Sequence, residues 1–222
     1  MFVEAHPQTV AAGLDSGLID LWRIPYTLSQ GRAPLLSLLA AYLCIPVSAV
    51  VLDQDPRGKP HLAQSIFGQA KMPRLDFNWS HSGDYALVAI SRDGAVGVDI
   101  ERHGKNLRTL DLARRFFAPS ETEALASFAP DARDRAFIGL WCAKEAVLKA
   151  AGEGLSFGLA RLVFAHRGTE DWALASVDST LGAVDAWQVV GFDAAPGYRG
   201  SLAWRGDHRK IRTLRPARNR TT

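Results

Sequence analysis

The sequence predicts an α+β fold, and three observations predict it. Runs rich in β-branched and aromatic residues stand on both sides of the chain, at 18–24, 85–90 and 95–100 and four times beyond residue 160. Between them, 110–151 carries helical periodicity with Pro and Gly at its boundaries. The 222 residues are 47% hydrophobic and 22% charged, enough apolar side chains for a core, which excludes disorder, collagen and low complexity for the whole chain.

In chain order, a strand is expected over 18–24 and a core helix over 35–45, stopped by Pro46, then a short strand over 50–52. Residues 33–52 carry no charge and reach the length of a membrane span. Pro46 interrupts them, Ser37 and Ser48 are polar and four of the twenty are alanine, so a buried helix is expected there and no membrane partner. A Pro/Gly/charge-rich loop over 53–60 leads to strands over 85–90 and 95–100, and Asp93-Gly94 between those signals a hairpin. Helices follow over 110–117, 119–128 and 131–151, the last stopped by Gly152 and Gly154. Strands over 161–165, 172–177, 186–192 and 198–204 complete the set. Each half reads as helices plus an antiparallel sheet. Without any repeat by residue identity, this permits two related halves, 1–103 and 104–204, joined near 102–106.

The net charge of +3 hides an asymmetry. From Arg205 on, seven Lys or Arg face one acid, Asp207, so this segment carries +6 and the remainder −3. Residues 205–222 are expected as a solvated, flexible tail, with attraction of an acidic partner as the second reading; no aromatic is interleaved, which argues against nucleic acid. Cys44 and Cys142 make no disulfide framework, and no Cys/His cluster suggests zinc. The N-terminus lacks the pattern of a secretory signal, so the expected location is cytoplasmic.

Three places concentrate polar residues within apolar surroundings. Asp99 and Glu101 end the 95–100 strand, and a spacing of two puts both on one face, where they repel unless a cation or proton lies between them. Trp141, Glu145 and Lys149 recur every four residues and share one helical face. A surface ion pair is the plainer reading of Glu145 and Lys149, but apolar Phe137, Ile138, Leu140 and Val147 around them let this face look inward. The third place is the polar loop Phe77-Asn-Trp-Ser80-His81-Ser82-Gly83. Adjacent Ser and His suggest a hydrolase, yet no G-x-S-x-G elbow is present, and hydroxyl, imidazole and loop NH groups suit phosphate better. Lys59 beside Pro60 adds a cation at a rigid turn. Asp99, Glu101 and Glu145 are hard oxygen ligands suited to Mg²⁺ or Mn²⁺, ions that share their shell with substrate phosphates. Residue types alone therefore reach a magnesium-dependent enzyme acting on a phosphoanhydride, by phosphoryl, nucleotidyl or phosphopantetheinyl transfer or by hydrolysis.

The order of the motifs narrows this. G-K-P (58–60), F-N-W-S-H-S-G (77–83), G-V-D-I-E (97–101), R-R-F-F with P-S-E (114–121) and W-C-A-K-E-A-V-L-K (141–149) resemble those of the 4′-phosphopantetheinyl transferases, in the longer, pseudo-dimeric Sfp type. The resemblance implies two similar α/β halves with the active site between them. It also implies that the phosphopantetheine arm of coenzyme A moves to a serine of an apo acyl or peptidyl carrier protein, releasing 3′,5′-ADP, in a chain expected to act as a monomer. A transferase-like protein that binds carriers with weak or no catalysis is the alternative. By the same resemblance, Asp99, Glu101 and Glu145 hold the metal, Glu145 is also the base for the serine, and Lys149 contacts the reacting phosphate. Ser80 and His81 meet phosphates of coenzyme A, Lys59 and Pro60 line the adenine, and Phe116 and Phe117 lie in the region that meets the carrier, with core packing an equal reading of both. The chain departs from the pattern upstream, where the basic segment between the first strand and helix is short and offers only Arg23 and Arg32, which leaves His81, assisted by Lys59 or Arg32, to hold the 3′-phosphate of coenzyme A.

Overall fold

Strand alternation and helix stops produce the following elements in a computed structural model that describes residues 1–67, 74–92, 94–104, 108–168 and 172–217. In chain order these are β1 (Val3–Ala5), α1 (Pro7–Ala11), β2 (Leu18–Pro25), α2 (Ala33–Leu43), β3 (Leu52–Gln54), β4 (Pro60–Leu62), α3 (Gln64–Phe67), β5 (Asp76–Ser82) and β6 (Tyr85–Ser91). There follow β7 (Val96–Arg102), α4 (Thr109–Phe116), α5 (Pro119–Ala126), α6 (Pro130–Ala151), β8 (Leu162–His166), β9 (Trp172–Val177), β10 (Trp187–Ala195), β11 (Tyr198–Arg205) and β12 (Lys210–Pro216). The fold is mixed α+β, as expected. Its contacts divide it into two units, 1–96 with the segment from His208 on, and 97–207. That division differs from the expected one, which changed halves after residue 103 and set 205–222 apart.

The first unit is built on the sheet β1-β12-β2-β6-β5, with β3-β4 as a separate hairpin. Helix α2 covers the sheet with Leu35, Leu38, Leu39 and Leu43, which pack with Trp22, Phe77, Val88 and Ile90. It starts at Ala33 because Pro34 fits a first helical turn, and it stops when Cys44 turns left-handed at φ 54°, two residues before Pro46.

Two expectations fail in this unit. The β-rich runs around Gly94 form strands, but not a hairpin: β6 pairs with β2 and β5, whereas β7 joins another sheet. Because 86–91 of β6 is buried on both faces, this strand takes a central place with a partner on each side. Its hairpin partner is β5, through a turn at Gly83-Asp84 where Gly83 has φ 53°. Asp93 lies outside the described residues. The expected loop over 77–83 is therefore mostly strand.

The basic C-terminal segment is not a tail between 210 and 216. It forms β12, inserted parallel to both β1 and β2, which makes the sheet mixed rather than antiparallel. The charge that suggested solvation is taken up inside. Arg212 Nε and Nη2 donate to Asp20 Oδ1 and Oδ2 at 2.6 and 2.9 Å, with Asp20 fully buried. The Tyr42 hydroxyl also donates to Asp20, and Trp22 donates to Tyr42. Arg218 and Arg220 lie outside the described residues.

The second unit packs α4, α5 and α6 with the sheet β10-β11-β7 and the hairpin β8-β9. Helix α6 runs 22 residues, Pro130–Ala151, and Gly152 with its left-handed φ of 74° ends it. Its buried side carries Phe137, Leu140, Cys142, Ala143, Ala146, Val147 and Ala150. No helix among the described residues is long and apolar enough to cross a membrane.

Candidate active site

The second unit places β7 directly on α6, and glycine makes this possible. A side chain at Gly97 would overlap the backbone carbonyl of Ala146 and the amide of Ala150. Gly97, Asp99 and Glu101 share a strand face by their spacing of two, so the close approach at Gly97 brings that face onto the helix. Asp99 lies at the next step, against Cys142 and Lys149. Glu101 shares a small cavity of about 170 Å³ with Arg102, Leu112, Phe137, Ile138 and Trp141. Strand and helix thus run in opposite directions. Two residues of strand rise about 6.6 Å and four residues of helix about 6 Å, so the spacing of G-x-D-x-E is commensurate with that of W-x-x-x-E-x-x-x-K.

The electrostatics follow from this contact. Lys149 Nζ donates to Asp99 Oδ1 at 2.6 Å and to the Val98 carbonyl at 3.2 Å. Glu145 is mostly buried and one of its carboxylate oxygens has no hydrogen-bond partner. Burial first, then the negative charges of Asp99 and Glu101, push its pKa up to about 7 against the opposing pull of Lys149. Complete burial first, then the same two acids, hold the Cys142 thiol well above its usual range. Among the described residues, no three His, Cys, Asp or Glu side chains are gathered closely enough to chelate a metal as they stand.

One buried pair beside the site is not foreseen by the sequence analysis. Lys144, in the same W-C-A-K-E run, is fully buried, paired with Glu121 at 2.8 Å and donating to the carbonyls of Leu159 and Leu162. Glu121 in turn accepts from the amides of Ala118 and Phe164. The signal was available, since Lys144 lies among Leu140, Val147 and Leu148 on the apolar side of the helix. Phe117 belongs to this core beside Phe137, while Phe116 is half-buried with its ring edge-on to Trp141.

The expected nucleotide residues lie in the first unit, on separate elements. Arg32 is exposed at the start of α2. Lys59 lies in the turn of the β3-β4 hairpin, where its amide donates to Asp55 Oδ1 at 2.8 Å and burial lowers the pKa of its ammonium; Pro60 opens β4. Ser80 and His81 are neighbours on β5 and so point to opposite faces, which corrects their reading as one loop cluster. His81 stacks on Tyr26 with centroids 4.6 Å apart, and Trp79 meets both rings edge-on.

Comparison with known proteins agrees with these motifs. The family model of the 4′-phosphopantetheinyl transferase superfamily matches residues 95–197, and that of the 4′-phosphopantetheinyl transferase N-terminal region matches 29–93. The 4′-phosphopantetheinyl transferase HetI of Nostoc sp. is 33% identical over 178 residues, 77% of this chain and 73% of HetI. The chain belongs to the 4′-phosphopantetheinyl transferase family. This transferase-family chain is also 35% identical over 129 residues to the 4′-phosphopantetheinyl transferase psf-1 of Bacillus pumilus. It is 34% identical over 140 residues to the human L-aminoadipate-semialdehyde dehydrogenase-phosphopantetheinyl transferase. Those matches cover 57% and 60% of this chain, and they span only 49% of psf-1 and 45% of the human protein.

Proposed function

We propose that this chain transfers the 4′-phosphopantetheine group of coenzyme A to a serine hydroxyl of an apo acyl or peptidyl carrier protein, releasing 3′,5′-ADP. The observation that supports the reading is the close approach of β7 to α6 at Gly97, beside which Lys149 pairs with Asp99 and the charges of Asp99 and Glu101 act on Glu145. The Sfp type is proposed with it, supported by the separate N-terminal match over 29–93. A cytoplasmic location is proposed on the two unpaired cysteines.

The donor set fits Mg²⁺: three hard carboxylates, one with a buried oxygen that has no hydrogen-bond partner. Asp99, Glu101 and Glu145 would hold the ion, which when bound would supply positive charge to the pyrophosphate and its leaving oxygen. Glu145 would take the proton from the carrier serine, a task suited to a carboxylate tuned toward neutral pH. The serine oxygen would bond to the phosphorus that bears pantetheine as its bond to the bridging oxygen breaks, and that oxygen would leave on 3′,5′-ADP. Lys149 would give its ammonium to the reacting phosphate. In the first unit, Lys59, Pro60, Ser80, His81 and Arg32 would serve the nucleotide end.

Incubation with coenzyme A, Mg²⁺ and a panel of apo carriers, read by intact mass, tests the proposal. The expected result is the gain of one phosphopantetheine on a carrier, lost in Asp99→Ala and Glu145→Gln. Transfer at wild-type rates by both variants would reject the assignment of the centre.

A further inference from the structure

His81 is expected at the 3′-phosphate of coenzyme A, and a residue outside every motif packs against its ring. Tyr26 follows β2 directly. Its amide donates to the Asp84 carbonyl at 2.9 Å, which continues the pairing of β2 with β6 one residue past Pro25 and Tyr85. Strand alternation then sets Trp22, Ile24 and Tyr26 on one face of the sheet. Phe77, Trp79 and His81 of β5 share that face, because Ile24, Ala86 and His81 stand side by side across β2, β6 and β5. Trp22, Ile24, Phe77 and Trp79 pack in the core that α2 covers, so Tyr26 and His81 lie at its rim.

The small Ala86 between the outer strands lets Tyr26 lean across β6 to meet His81. The two rings stack with centroids 4.6 Å and planes 28° apart, and Trp79 stands edge-on at 5.3 Å from His81 and 5.8 Å from Tyr26. Tyr26 is 4% exposed whereas His81 is exposed, so a buried ring carries a solvent-facing one. A histidine on a strand has three wells about its first torsion and roughly two orientations about its second, about six in all. Contact on one face and at one edge selects among them.

We propose that Tyr26 is a positioning residue, whose ring holds the His81 imidazole in the orientation that meets the 3′-phosphate of coenzyme A. This rests on the reading of His81 as a phosphate contact. A binding group that is correctly placed for only part of the time loses affinity in proportion. Releasing His81 among about six orientations should therefore weaken coenzyme A about three- to sixfold and leave dephospho-coenzyme A, which lacks the 3′-phosphate, unchanged.

The test is calorimetric binding of coenzyme A and dephospho-coenzyme A to the full chain, with Mg²⁺ and without carrier, after thermal melts establish that each variant folds. Tyr26→Phe keeps the stack and should restore wild-type binding of both ligands. Tyr26→Leu removes the ring and should lose about three- to sixfold for coenzyme A alone. His81→Ala should lose more, again for coenzyme A alone. A second measurement needs no variant at Tyr26. In the wild type, nuclear Overhauser contacts between the His81 and Tyr26 rings, with His81 assigned by its loss in His81→Ala, should persist when coenzyme A is added. Their disappearance would overturn the proposal, since the bound imidazole would have left Tyr26. Full coenzyme A affinity in Tyr26→Leu, or an equal loss of both ligands, with His81→Ala still selective, would overturn it alone and leave Tyr26 as packing. A wild-type ratio of the two affinities in His81→Ala would overturn the reading of His81 and the proposal with it.

Discussion

Lys144 Nζ and Glu121 Oε2 lie 2.8 Å apart with neither side chain exposed. Burial lowers the Lys144 pKa to about 8, so the ammonium is costly there and its partner is needed. The pair joins α5, α6 and β8, because Glu121 also accepts from the amides of Ala118 and Phe164. Removing one member of a buried pair strands the other, at a typical cost of about 3–5 kcal/mol. Lys144→Met should lower urea stability by that order, and the double variant Lys144→Met/Glu121→Gln should lose less than the sum of the singles. Strict additivity would show that the two charges do not depend on each other.

A second prediction concerns pH. Glu145 moves from 4.5 to about 7 on folding, chiefly through burial. Between those values the folded state holds a proton that the unfolded chain has released. Stability from this group is therefore full below pH 4.5 and falls as pH rises through 7, by about 3 kcal/mol in total. Glu145→Gln removes the titration. Without divalent metal, the variant should match the wild type at pH 4.5 and exceed it in melting temperature at pH 8, while losing transfer. Mg²⁺ should narrow the gap at pH 8 by favouring the wild-type carboxylate. A gap of equal size at both pH values would mean that Glu145 ionises normally in the fold.

Much of the second unit was legible because its signals are local. The Pro and Gly stops of α6 and the two spacings, 99 with 101 and 141 with 145 and 149, each need only a few neighbouring residues. The first unit was less so, because its signals are not local. Whether β6 pairs with β5 or β7 depends on which neighbour covers its edges, and Asp93-Gly94 says nothing of that. The strand character of 210–216 depends on Asp20, some 190 residues earlier in the chain. Charge count alone therefore gave a tail. Ser80 and His81 were paired by adjacency, a relation that reverses once the segment is known to be strand.

The place of β12 yields a third prediction. It lies between β1 and β2, so its loss would open the sheet beside buried Asp20. Deleting residues 208–222 should abolish cooperative unfolding of the first unit, seen as loss of amide protection in β2 and β6. Arg212→Met, which keeps the strand and leaves Asp20 without its cation, should cost about 3 kcal/mol in urea denaturation. If the deletion retains native amide protection in β2, the segment is dispensable and the tail reading returns.

The last prediction concerns Gly97. Its neighbours are the backbone of Ala146 and Ala150 on a long helix, and backbone moves less readily than a side-chain tip. Gly97→Ala must push β7 off α6, and overpacking of this kind typically costs about 1–3 kcal/mol. The functional loss should exceed the loss in stability. Asp99 and Glu101 lie on the same face of the same strand, so a shift at Gly97 moves both away from Glu145. A displacement of about 1 Å in catalytic groups is enough to lower a rate about 100-fold. Gly154→Ala serves as the control, since a side chain there meets nothing nearer than Ser156 Oγ at 3.9 Å and should leave both quantities unchanged. The measurements are urea stability and transfer rate at a temperature where each variant is folded. A Gly97→Ala protein that loses stability yet transfers at the wild-type rate would show that the register of strand on helix does not set the active geometry.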